Sequence, residues 1–86
     1  MYKYEEQKQK IFTEKGQEVF IKIRDNVQKL LKQSGAFMMQ NAIVGYSSEA
    51  WLGLACVDRM VELNELREIS QPDAAGQHRV FISRTL

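Results

Sequence analysis

Few residues of this chain carry reactive chemistry, and their number restricts what they can do. Cys56 is the only thiol and His78 the only histidine, which falls short of the usual ligand set of a zinc site. Nothing around Cys56 suggests an activated nucleophile, so a buried structural thiol is expected. His78 reads as a surface residue, with phosphate contact as its functional alternative. Glu65 and Glu68 fall on a helix end and a strand rather than in a cleft. There is no phosphate-cradling glycine loop, no dinucleotide-binding pattern and no calcium-binding loop. Tyr2 and Tyr4 stand among Lys3, Lys8 and Lys10, a spacing that suits either a basic–aromatic arm or a solvated tail. The expectation is a binding protein, not an enzyme, with no metal and no cofactor.

Size and charge narrow the class further. Eighty-six residues make one domain the default. A chain this short buries roughly 60–65% of its unfolded surface, enough for one thin core. Hydrophobic residues at 44% and charged residues at 27% fit a globular domain. Twelve Lys and Arg against eleven Asp and Glu leave a net charge of +1, which excludes a polybasic phosphate neutraliser. A lone cysteine excludes a disulfide framework and fits a reducing compartment. No run approaches the length needed to span a bilayer, and residues 1–10 hold no apolar segment of the kind that opens a secretory signal. A cytoplasmic location without membrane partners is expected.

The elements follow from periodicity and capping. Residues 1–12 are polar and read either as a loose arm or as an extension of the next helix. From Thr13, an N-cap residue, apolar side chains recur at Val19, Phe20, Ile23, Val27, Leu30 and Leu31, one stripe of a long helix. Gly35 ends it, and Gly16 weakens its first turn. Residues 36–38 read as a short extended piece, then 39–44 as a short helix closed by Gly45. Ser47 or Ser48 caps a further helix reaching Leu63, with Asn64 suited to a left-handed end. Residues 66–70 and 79–83 read as two strands joined by a long polar tip containing Pro72 and Gly76.

The segment Ala55-Cys-Val-Asp-Arg-Met-Val-Glu-Leu-Asn-Glu-Leu-Arg-Glu-Ile69, followed by Gly76-Gln-His-Arg-Val-Phe81, resembles the closing half of winged helix-turn-helix domains. Val57, Met60, Val61 and Leu66 match the apolar positions of that pattern, and Asn64 stands where the family usually has glycine. The resemblance spans about residues 34–84. It implies an α+β fold of about three helices followed by a two-stranded hairpin wing, with 13–86 as the domain and 1–12 outside it. By size the chain is similar to small bacterial or phage-encoded members. Its implied function is DNA binding or transcription regulation: residues 46–63 hold the recognition helix, residues 76–79 the wing, and Ser47, Ser48, Arg59, His78 and Arg79 contact the duplex. Lysines of the long helix would add backbone contacts.

The charges of that helix point elsewhere. A duplex-reading helix offers cationic and amide side chains to phosphates and base edges. This one offers Arg59 against Glu49, Asp58 and Glu62. Residues 1–43 carry eight basic and five acidic side chains, +3, whereas residues 44–86 carry four and six, −2. Projected on a helix, Ala50, Gly53, Leu54, Val57, Met60, Val61 and Asn64 face the core. Leu52, Ala55, Cys56, Arg59, Glu62 and Leu63 face outward, with Trp51 and Asp58 on a flank. The bland reading is a solvated surface over an intrachain core. The sharper alternative is a protein-interaction or self-association module that does not bind DNA, with Trp51, Leu52 and Leu63 at the interface, as a homodimer or with another protein.

Overall fold

A computed structural model of the chain describes residues 1–46 and 49–84. It has an α+β architecture in the order α1 (Tyr4–Ile11), α2 (Glu14–Ser34), β1 (Ala36–Met38), α3 (Met39–Ile43), α4 (Ala50–Glu62), β2 (Leu66–Glu68) and β3 (Val80–Ser83), with a 3-10 turn at Gly76–His78 before β3. Among the described residues no helix is long and apolar enough to cross a membrane.

The long helix forms as its spacing predicts. Thr13 caps it, accepting a hydrogen bond from the Gly16 amide at 3.0 Å, and Gly35 closes it in the left-handed region at φ 76°. Val19, Phe20, Ile23 and Val27 are buried along one stripe, with Leu30 and Leu31 packed beside them. Asn64, at φ 63°, takes the left-handed turn after α4 that its type allows.

Three features depart from the expectations. First, the N-terminal residues are neither an arm nor an extension of α2. They form a separate helix, α1, which packs more extensively on α4 than on any other element. Thr13 makes the corner: its hydroxyl donates to the Lys10 carbonyl at 2.8 Å while accepting from Gly16. Gly16 sits in this corner, where a Cβ would overlap the Lys10 carbonyl oxygen and lie 2.8 Å from the backbone of Ile11. Its role is close backbone approach, not a weak first turn.

Second, the described residues form four α-helices rather than about three, and a sheet of three strands instead of two. β3 lies in the middle, antiparallel to both β1 and β2. The Phe37↔Phe81 pair stacks on the inner face with ring centroids 5.4 Å apart. The tip of the hairpin folds back instead of projecting, and its 3-10 turn packs on α3.

Third, α4 begins after Glu49, which occupies the N-cap without a side-chain cap hydrogen bond. The expected caps, Ser47 and Ser48, lie outside the described residues. Asn26 of α2 holds α3 in place, donating to the carbonyls of Asn41 and Ala42 at 3.0 and 3.1 Å.

Gly16→Ala separates propensity from packing. In an unconstrained helix interior the change would stabilise by roughly 1 kcal/mol. Here it should destabilise by about 1–3 kcal/mol, because the α1 corner must move aside. Urea unfolding of the two proteins reads the sign directly.

Candidate functional site

Of the residues expected to bind, Trp51, Leu52 and Arg59 lie in α4 and Leu63 caps its end, and the N-terminal segment reaches that helix first. Leu52, Gly53, Leu54, Ala55, Cys56, Val57 and Met60 are all buried. A helix apolar on most of its circumference needs cover on more than one side. One side rests on α2 and α3, and α1 covers another. Leu52, expected at an interface, is only 5% exposed. It sits beside Gly16 and Val19 in the angle between the first two helices. Helical projection places it outward from the α2 core, and a second covering helix makes that direction inward too.

The carboxylates of α4 are the anchor points for this cover. Tyr2 donates its hydroxyl to Asp58 Oδ2 at 2.6 Å. Burial, followed by the hydrogen bond and charge of Asp58, raises the pKa of that phenol well above its ordinary value. Tyr4 donates to Glu62 Oε1 at 2.8 Å and Lys8 to Glu62 Oε2 at 2.9 Å. Asp58 and Glu62 are one helical turn apart, so one face of α4 presents both acceptors to residues of the same N-terminal segment. Trp51 meets the Tyr2 ring edge-on at 6.5 Å and keeps 44% of its surface exposed.

The cations expected to meet a duplex are also engaged. Arg59 donates to Glu62 at 2.6 Å and its guanidinium lies 5.3 Å from the Phe12 ring. Arg79 is more confined, with its side chain 18% exposed. It donates to Asp58 at 2.7 and 3.3 Å and to Glu68 at 2.8 and 3.0 Å, while resting 5.2 Å from the centroid of Phe81. This double fork joins α4 to both strands of the hairpin. The Arg79 hydrogen bonds hold Glu68 below its ordinary pKa. His78 is exposed in the 3-10 turn and Leu63 is 43% exposed at the end of α4. Trp51 and Leu63 do not form one patch, since twelve residues of helix place them roughly 18 Å apart.

Cys56 is fully buried, and burial pushes its thiol up to about 12, the state of a structural cysteine. Among the described residues no group of three His, Cys, Asp or Glu is placed to hold a metal ion. A cleft of about 740 Å³ lies where α1 turns into α2, lined by Lys10, Lys15, Lys22 and Glu18 with Val19 and Leu52 beneath. The docking role of Tyr2, Tyr4 and Lys8 went unread in the sequence. Its trace there is the pair of carboxylates one turn apart on a helix whose other residues are apolar. No protein-family model matches the chain, and no curated protein or solved structure matches it either.

The Lys8, Tyr4 and Arg59 hydrogen bonds hold the Glu62 carboxyl down at about 2, against 4.5 for the unperturbed group. The ionised form therefore stabilises the fold fully above about pH 4.5, and that contribution disappears as pH falls through 2. Thermal unfolding from pH 7 to 2 should show the midpoint dropping across this window. Glu62→Gln should lower the midpoint at neutral pH and flatten the drop between pH 4.5 and 2.

Proposed function

We propose that this chain is a winged helix domain whose recognition helix faces inward, and that it acts by binding another protein rather than by reading duplex DNA. The order of elements supports the architecture: α2, β1, α3, α4 and the β2–β3 hairpin follow one another as in that family, with α1 added in front. The observation that carries the function is the cover over α4. Ala55 and Cys56, on the side that would enter a major groove, are fully buried. A groove about 12 Å wide admits one helix, not a helix with a second one laid over its reading face. Arg79, the wing cation, would have to leave two carboxylates to meet a phosphate. Stripping one partner from such a pair leaves an uncompensated charge, at a cost of roughly 3–5 kcal/mol where burial is complete and less at a partly exposed site such as this.

Duplex binding is the second reading, favoured by the lysines around the cleft between α1 and α2. Lys15 and Lys22 make no ion pair among the described residues. They suit sequence-independent phosphate contacts.

Amide shifts on titration with random-sequence duplex at about 50 and 200 mM salt separate the two. The protein-binding reading expects residues 49–59 and 78–79 to stay unmoved, with any response confined to the lysine cleft and lost at the higher salt. Salt-weakened shifts centred on Arg59, His78 and Arg79 would overturn it.

A further inference from the structure

The sheet has a second apolar face. Alternation along the strands puts Phe37, Leu66 and Phe81 on the inner side, and all three are buried. The residues between them point the other way. Ala36, Ile82 and Arg67 form one cross-strand row. Met38, Val80 and Ile69 form the next, with the Ile69 amide donating to the Val80 carbonyl at 2.8 Å. An antiparallel sheet with one face in water ordinarily carries polar residues there, yet Arg67 is the only polar residue in these two rows. Ile69 is 49% exposed and Met38, Val80 and Ile82 are half-buried, and none of the four belongs to the side chains packed on the core. This is the face of a sheet built to be covered twice, with one cover supplied by the chain.

Charge indicates what the second cover is. Arg67 and Arg84 flank a cleft of about 380 Å³ with Ile82 and Ser83 between them. Neither arginine makes an ion pair among the described residues. Five of the six carboxylates of the same half of the chain are drawn away, leaving Asp73 of the hairpin tip: Asp58 and Glu68 pair with Arg79, Glu62 with Lys8 and Arg59, Glu65 with Arg24, and Glu49 with Lys10.

We propose that the outer face of the β1-β3-β2 sheet docks an apolar, acidic segment of a partner protein. Its apolar side chains lie across Met38, Val80, Ile82 and Ile69, and its carboxylates engage Arg67 and Arg84. A second copy of this chain is the poorer occupant. A symmetric pair would set the arginines of one face against those of the other, because neither outer row of the sheet holds a carboxylate. The inference rests on the protein-binding reading above and names its surface.

The test uses two synthetic amphipathic peptides with the same leucine stripe, one flanked by glutamates and the other by lysines. Each is titrated into the full chain with the methyl and arginine Nε–H signals observed. The glutamate peptide should shift Met38, Ile69, Val80, Ile82, Arg67 and Arg84. The double variant Arg67→Glu/Arg84→Glu should weaken it by about tenfold or more and admit the lysine peptide. Both substituted residues are exposed, and circular dichroism confirms the fold of the variant. Equal binding of both peptides, shifts on another surface, or no shift at about 1 mM peptide would overturn the proposal. So would a concentration-dependent dimer in sedimentation that Ile69→Glu dissolves, which assigns the face to a second copy. A failed peptide titration beside an unresponsive duplex titration removes this face alone, whereas duplex shifts at Arg59, His78 and Arg79 remove the reading beneath it.

Discussion

A helix with apolar side chains around most of its circumference cannot lie at a surface, and in this protein α4 decides where the other elements go. Its Ala55, Cys56, Val57 and Met60 have no exposed surface. Four consecutive buried residues from Leu54 to Val57 leave no side of the helix free for water along that turn. α2 alone covers one side of such a cylinder. The chain must return on the other, and α1 is the segment that does so. The tight corner at Thr13 and Gly16 follows from this demand, because a short N-terminal helix reaches α4 only by folding sharply off the start of α2. Gly16 permits the approach that any larger side chain would block.

Polar contacts fix how the cover sits. Apolar packing between two helices is tolerant of small slides, whereas a phenol hydroxyl facing a carboxylate is not. Tyr2 on Asp58 and Tyr4 on Glu62 set the register of α1 against α4, and Arg79 carries the connection from Asp58 to the hairpin. The result is a continuous path from Tyr2 through Asp58 and Arg79 to Glu68 and Ser70. Partial exposure keeps each contact modest in energy. Together they make one arrangement of helix and sheet preferable to its neighbours.

These contacts also change what the net charge means. In the sequence, +1 divides into +3 and −2, with the acidic half holding the helix that a winged helix protein would offer to DNA. The fold pairs the two halves with one another: Lys8, Lys10 and Arg24 from the first meet Glu62, Glu49 and Glu65 of the second. The carboxylates that looked repulsive toward phosphate serve as internal anchors. What the second half leaves without an ion pair among its described Asp, Glu, Lys and Arg side chains is Asp73 of the hairpin tip, with Arg67 and Arg84 at the outer side of the sheet.

The sequence by itself determined the long helix, its Thr13 cap, its Gly35 end, the short strand and helix that follow, and the two strands of the hairpin. Each of these depends on neighbours within a few residues, through 3.6- or 2-residue periodicity and local backbone chemistry. It also determined that Cys56 is structural and that α4 needs cover. Only the tertiary structure decided what supplies that cover. Tyr2 and Asp58 are 56 residues apart, and nothing in the spacing of either segment encodes the other. A similar separation hid the fate of Leu52, which packs beside Gly16 and Val19: projection on one helix sorts side chains relative to a single partner. A second partner, arriving from the far end of the chain, turned the outward positions of Leu52, Ala55 and Cys56 inward. The pairing of β1 with β3 was hidden for the same reason, since a three-residue strand carries too little pattern to name its neighbour.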